Sequence, residues 1–150
     1  MHALAARLAI AGPLVALDAC GELDVHQVAR LIRRQTRLAD QALGRVRVGR
    51  AFTGRQVADL FARLPASAAP HLVFNLPGAF LDEDVSRLES RRLLRDTLDE
   101  IERLREHAPF LISARPWGGY RVELLQAVAD LADHMFAWES PAAVMPVRLF

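Results

Sequence analysis

Lysine is missing from this chain of 150 residues; all nineteen basic residues are arginine. That absence removes chemistries that need an ε-amine: a Schiff base, a lysine general base, and the phosphate-binding lysine of a Gly-x-x-x-x-Gly-Lys-Ser/Thr loop. Cysteine occurs once, at Cys20. One thiol forms no internal disulfide and builds no cysteine-rich zinc site. No apolar run reaches the ~20 residues of a membrane span. The segment from Met1 to Leu8 lacks a basic leader followed by an apolar block and a cleavage site, so it reads as helix and not as a signal peptide. Together with the lone thiol, these absences point to a cytoplasmic protein that does not engage a membrane. No strong excess of one charge exists either: nineteen arginines face eighteen acids, for a net charge of +1. A whole-surface field for nucleic acid is therefore not expected. Arginine does cluster locally, at Arg30, Arg33, Arg34 and Arg37, and again at Arg45, Arg47, Arg50 and Arg55. These clusters are read as a solvated helix face and as strand ends.

What is present is the composition of one soluble domain over residues 1–150, 52% apolar and 25% charged. Apolar blocks of strand character alternate with helical periodicity. Strands are expected over 13–19, 45–52, 71–76 and 109–114, with Val46 and Val48 inward in the second and Ala51 and Phe52 as further inward candidates. A helix follows Asp24, its N-cap, with Val25, Val28, Leu31, Ile32, Leu38 and Ala42 recurring at three- and four-residue steps. Thr53 caps a second helix, carrying Val57, Leu60, Phe61 and Leu64. A long helix spans about 84–106, where Ser86 and Glu89 have capping-box spacing. A further helix is expected at 120–131. A strand at 134–138, the turn Glu139-Ser140-Pro141 and a strand at 144–150 make a closing hairpin. The expected fold is α/β: a three-layer αβα arrangement with a mostly parallel sheet and a C-terminal antiparallel hairpin. In such sheets ligands collect at the carboxyl ends of the strands. Those ends carry Asp18 to Glu22, Arg50 to Thr53, Asn75 to Phe80 and Ser113 to Trp117.

These same segments resemble the ATPase core of the RecA recombinase superfamily. Leu17-Asp18-Ala19 with Leu23-Asp24 is similar to the Ile-Asp-Ala-Glu…Leu-Asp run after the family's P-loop helix. Val48-Gly49-Arg50-Ala51-Phe52-Thr53, with Gln56 and Leu60, resembles the Arg-Ala-aromatic…Gln…Leu strand–helix of archaeal and eukaryotic recombinases. His71 to Asn75 takes the place of the Walker B strand, and Pro109 to Ala114 that of the strand ending in the nucleotide sensor. The closing hairpin, led in by Ala132-Asp133-His134, fits as well. The resemblance spans nearly the whole chain; order and spacing carry it, since each motif alone is weak. It implies a RecA-like or KaiC-like fold that ancestrally binds ATP and magnesium. It also implies that the chain begins just after the P-loop, with Met1 to Ile10 as the helix that follows it, and lacks the central strand leading into that loop.

The departures from the family concern catalysis. Asn75 stands at the Walker B aspartate position, where a neutral amide is a poorer partner for a magnesium shell. Cys20 stands where the family carries its catalytic glutamate, with Glu22 two residues on. Ser113 or Ala114 stands at the sensor position. Phosphoryl transfer needs phosphates, metal and water positioned together, so the chain is not expected to hydrolyse ATP. The candidate site is accordingly vestigial. Asp18 and Glu22 are its weak catalytic candidates, Asp18 and Asn75 its nucleotide-binding remnant, and Arg115 with Trp117 a weak DNA-facing pair suited to stacking and phosphate contact. The competing structural readings are Asp18 as a turn residue accepting backbone amides, Cys20 as a buried or half-buried thiol, and Asp82-Glu83-Asp84 as a helix start. The five histidines lack metal-ligand spacing, and no metal site is expected.

Three functions compete. The first is a degenerate or incomplete RecA-like domain related to DNA recombination, repair or regulatory ATPase assemblies. If Met1 is a misplaced start, the P-loop lies upstream in the gene. The second is a non-catalytic interaction module that self-associates or completes its sheet with a partner. The third, a Rossmann-like methyltransferase with Asp18 as the ribose-binding acid, needs a glycine-rich turn that Ala11-Gly12-Pro13 does not supply.

Overall fold

Two apolar segments form the centre of the sheet. In the computed structural model, which describes residues 1–115 and 122–137, every residue of Leu14–Asp18 (β1) and His71–Phe74 (β3) is buried. Burial on both faces is what an apolar strand between two helical layers requires. Val46–Arg50 (β2) pairs with β1 on one side, and Phe110–Ile112 (β4) pairs with β3 on the other. The order is β2-β1-β3-β4 and every pairing is parallel.

Helices cover both faces. His2–Ala11 (α1), Val25–Gln35 (α2) and Ala39–Leu43 (α3) close a core around Leu14, Ala16, Leu72 and Phe74. Gly54–Ala62 (α4), Arg87–Arg105 (α5) and Val122–Leu131 (α6) close the other around Val15, Leu17 and Val73. Alternate residues of one strand thus feed opposite cores. The expected α/β class with helices flanking a parallel sheet is present.

Helix starts follow the capping chemistry. Asp24 Oδ1 accepts from the Gln27 amide at 2.9 Å, and Thr53 Oγ1 from the Gln56 amide at 3.3 Å. The Gln56 side chain returns to accept from the Phe52 amide at 3.0 Å. Ser86 Oγ accepts from the Glu89 amide at 3.2 Å, but the Glu89 carboxylate turns to Arg55 at 3.1 Å, so only half of the capping box is made.

Two expectations need correction. The periodic segment from Val25 to Ala42 is two helices. Thr36 is extended (φ −146°, ψ 149°), and its hydroxyl accepts from the Leu38 amide at 3.1 Å, a local bond that competes with helix continuation. Val48 and Phe52 are not inward: they are 48% and 63% exposed, Val48 on a strand with only one neighbour among the described residues and Phe52 past that strand's end. Ala51 is buried as expected. At the C-terminus, residues 134–137 lie outside regular structure, and the remainder of the expected hairpin falls beyond the described residues.

His71 opens β3 with 1% of its surface exposed, stacked on Phe110 at 4.3 Å between ring centroids. Neither ring nitrogen has an aligned hydrogen-bond partner among the described residues. Burial, then the Arg47 charge, push its pKa below the ordinary 6.5, against a smaller opposing effect of the Ala69 backbone. The unfolded chain therefore binds a proton more readily than the folded one. Stability should fall as pH drops below about 6.5, at up to about 1.4 kcal/mol per pH unit. The variant His71→Phe keeps the ring stack and removes the titration. Its urea midpoint should lose this part of the pH dependence, and a wild-type midpoint flat between pH 7 and 5 would contradict the assignment.

Candidate polar cluster at the strand ends

The carboxyl ends of β1, β3 and β4 bring together Asp18, Cys20, Glu22, Asn75, Ser113 and Arg115. Asp18 ends β1 fully buried. Its Oδ1 accepts from the Glu22 amide at 2.9 Å, which ties down the turn leaving the strand. Arg50 Nε lies 3.0 Å from Asp18 Oδ2 as a charge contact; no aligned hydrogen bond reaches that oxygen. Arg50 also donates to the Leu23 carbonyl at 3.0 Å. The turn-residue reading of Asp18 fits this geometry, and the ionic partner is an addition to it. Arg50 was legible only as a member of an arginine cluster; the parallel register that sets it opposite Asp18 supplies the missing signal.

The turn needs Gly21, whose φ of +80° lies in the left-handed region that favours glycine. It sends Glu22 back over the end of β3. There Glu22 Oε1 accepts from Asn75 Nδ2 at 2.7 Å and faces Arg115 Nε at 3.1 Å. Glu22 thus meets the side chain of Asn75.

Asn75 is the hub. It is 2% exposed and left-handed (φ 46°, ψ 56°), a conformation asparagine tolerates better than most residues. Its amide nitrogen donates to Glu22 and also to Cys20 Sγ at 3.2 Å. Its Oδ1 accepts from the Arg115 backbone N–H at 3.3 Å. The Asn75 backbone N–H donates to Ser113 Oγ at 2.9 Å, and its carbonyl accepts from the Gly78 N–H at 3.0 Å. Gly78 belongs to the 3-10 turn Leu76–Phe80. A Cβ there would stand 2.7 Å from Asn75 Nδ2 and 3.0 Å from Cys20 Sγ. The network thus needs a residue without a side chain beside it.

Cys20 is half-buried, and its pKa is raised. Desolvation is the largest cause, followed by the Glu22 charge; Asp18 adds to them, while the Asn75 hydrogen bond and Arg115 oppose. A thiol held protonated is a poor nucleophile.

The geometry gathers all of the expected site residues except Trp117, which lies outside the described residues. Arg115 is paired with Glu22 yet 69% exposed along its side chain. Every polar side chain at the centre is committed to a neighbour in the protein. Two clefts of about 170 and 150 Å³ flank β2, lined by residues such as Arg47 and His71 or Ala5 and Val28; neither borders the cluster. Among the described residues no group of three or more histidine, cysteine, aspartate or glutamate side chains is arranged to hold a metal ion. Asp82, at the acidic run, accepts from the Asp84 amide at 3.0 Å just ahead of α5. No described helix is long and apolar enough to cross a membrane. No family model and no curated protein matches the chain.

Proposed function

We propose that this chain is a RecA-like, ATPase-related domain without nucleotide hydrolysis, serving as a non-catalytic module in an assembly of the recombination, repair or regulatory ATPase kind. One observation carries this reading: the side chain aligned with the Walker B position is a neutral amide whose two N–H donors go to Glu22 and Cys20 and whose oxygen accepts from the Arg115 N–H. A carboxylate holding magnesium water would need to be charged and to face an open space. Glu22, the nearest acid, is spent on Asn75 and Arg115. The chain also contains no Gly-x-x-x-x-Gly-Lys loop.

A second reading, a module that completes its sheet with a partner or a second copy, is favoured by β4. Among the described residues β4 pairs only with β3, and its Leu111 is 38% exposed; a strand edge of this kind can take up a further strand.

Calorimetric titration of the chain with ATP and magnesium, with light scattering on the same sample, tests both. The expected result is no heat attributable to micromolar binding, together with a defined oligomer. Micromolar binding would overturn the first reading, and a strict monomer would overturn the second.

A further inference from the structure

The two helical layers differ in how their charge is managed. On α5, Arg92, Arg103 and Arg105 pair with Asp96, Glu100 and Glu102 within the helix, and Arg91 pairs with Glu123 of α6. The layer formed by α1 and α2 has no comparable neutralisation. From Val25 to Leu38 the chain carries Arg30, Arg33, Arg34 and Arg37 and no carboxylate. All four are exposed. Arg30 lies 3.8 Å from Asp24; Arg33, Arg34 and Arg37 make no ion pair within 4 Å among the described residues.

The spacing places Arg30, Arg33 and Arg34 on one face of α2, opposite the buried Val28 and Ile32. Arg37 follows just beyond the helix end. Arg30 to Arg34 covers roughly 6 Å of helix axis, close to the rise between two steps along one nucleic-acid strand. Guanidinium groups hold phosphate oxygens through two parallel N–H bonds. Because α2 leads through α3 into the start of β2, its last turn lies away from Asp18 and Asn75.

We propose that the exposed face of α2 is a docking surface for the phosphate backbone of duplex nucleic acid, bound without sequence preference. The inference goes beyond the functional reading above and does not depend on nucleotide binding. Duplex nucleic acid is favoured over an anionic lipid surface because the apolar side of α2 is used by the core. Val28 and Ile32 are buried there, which leaves no hydrophobic stripe to insert.

Fluorescence anisotropy with a fluorescein-labelled 25-base-pair DNA duplex tests the proposal. The full chain should bind at low salt, and its affinity should fall linearly with salt on a log–log scale. The variant R33A/R34A/R37A should bind at least tenfold more weakly at 100 mM salt, with a salt slope shallower by about 3. R33K/R34K/R37K should recover most of the slope. R92A/R95A on α5 should bind like the parent. If the triple variant folds poorly by circular dichroism, Arg34→Ala alone should lower affinity and reduce the slope by about 1. Four results would overturn the proposal: no binding at low salt, equal binding by the α2 variants, loss of binding in R92A/R95A instead, or capture by phosphatidylserine vesicles but not by DNA. A lower Tm in the α2 variants with unchanged DNA binding would show that the arginines serve only the helix end, and would overturn it too.

Discussion

Replacing Asn75 with aspartate is expected to destabilise the domain by about 2–3 kcal/mol at neutral pH. The new carboxylate would sit where Nδ2 now donates to Glu22 Oε1 at 2.7 Å and to Cys20 Sγ at 3.2 Å. Two donor bonds are lost, and a buried carboxylate faces the partly exposed Glu22. Arg115 beside Glu22 offsets part of the repulsion. The left-handed backbone is no obstacle, because aspartate tolerates it nearly as well as asparagine.

The effect has a defined sign with pH. The folded-state pKa of the introduced carboxyl would be raised, so the folded chain would hold its proton where the unfolded chain releases it. The deficit relative to the parent should be full above that raised pKa and should shrink as pH falls towards about 4. His71 loses stability for both proteins over the same range, so the quantity to follow is the difference in urea midpoint. A variant as stable as the parent at pH 7 would show that the hub is not closed as described. If Asn75→Asp gained micromolar magnesium–ATP binding, the proposed reading would need revision.

The second large effect belongs to Asp18→Ala, for which a loss of about 3 kcal/mol is expected. The substitution removes the acceptor of the Glu22 amide, leaves the Arg50 guanidinium without its anion, and empties a fully buried position. Arg50 is 42% exposed along its side chain and can turn to water, which keeps the cost below that of a fully buried pair. Asp18→Asn retains an acceptor for the amide and should fall between the two. The turn from Asp18 to Glu22 also positions Cys20, so loosening it should speed reaction of the thiol with an aromatic disulfide reagent. Unchanged thiol reactivity in Asp18→Ala, alongside an unchanged urea midpoint, would mean that the turn is held by something other than this carboxylate.

Legibility in the sequence followed the range of the interactions. Asp24, Thr53 and Ser86 act within one helical turn, and their capping roles could be read directly. So could β1 and β3, whose apolar runs announce burial on both faces. The break at Thr36 was hidden because the apolar period runs on through Leu38 and Ala42 although the backbone does not. The exposure of Val48 could not be read locally: the same residue would be buried in a central strand, and only the sheet order leaves β2 with one neighbour among the described residues; Phe52 lies past the strand's end. At the strand ends, the rule named residues that the fold does bring side by side: Asp18, Glu22, Asn75 and Arg115. Which of them touch depended on Gly21 turning Glu22 across to Asn75, and on register setting Arg50 against Asp18. Both are products of long-range pairing, and neither has a signature in neighbouring residues.

The parallel sheet order also governs how the chain reaches its fold. Val15 pairs with Arg47 and then with His71, and His71 with Phe110. Among the described strands no adjacent pair is joined by a hairpin; each pairing closes a loop of roughly 30–60 residues. β1 is the second element made, yet it is covered on both edges only after Phe74 has been synthesised. For that interval Leu14 to Leu17 is an apolar strand with an open edge on the growing chain. Folding should therefore be slow for a domain of this size, and the nascent chain should depend on protection from aggregation until β3 arrives.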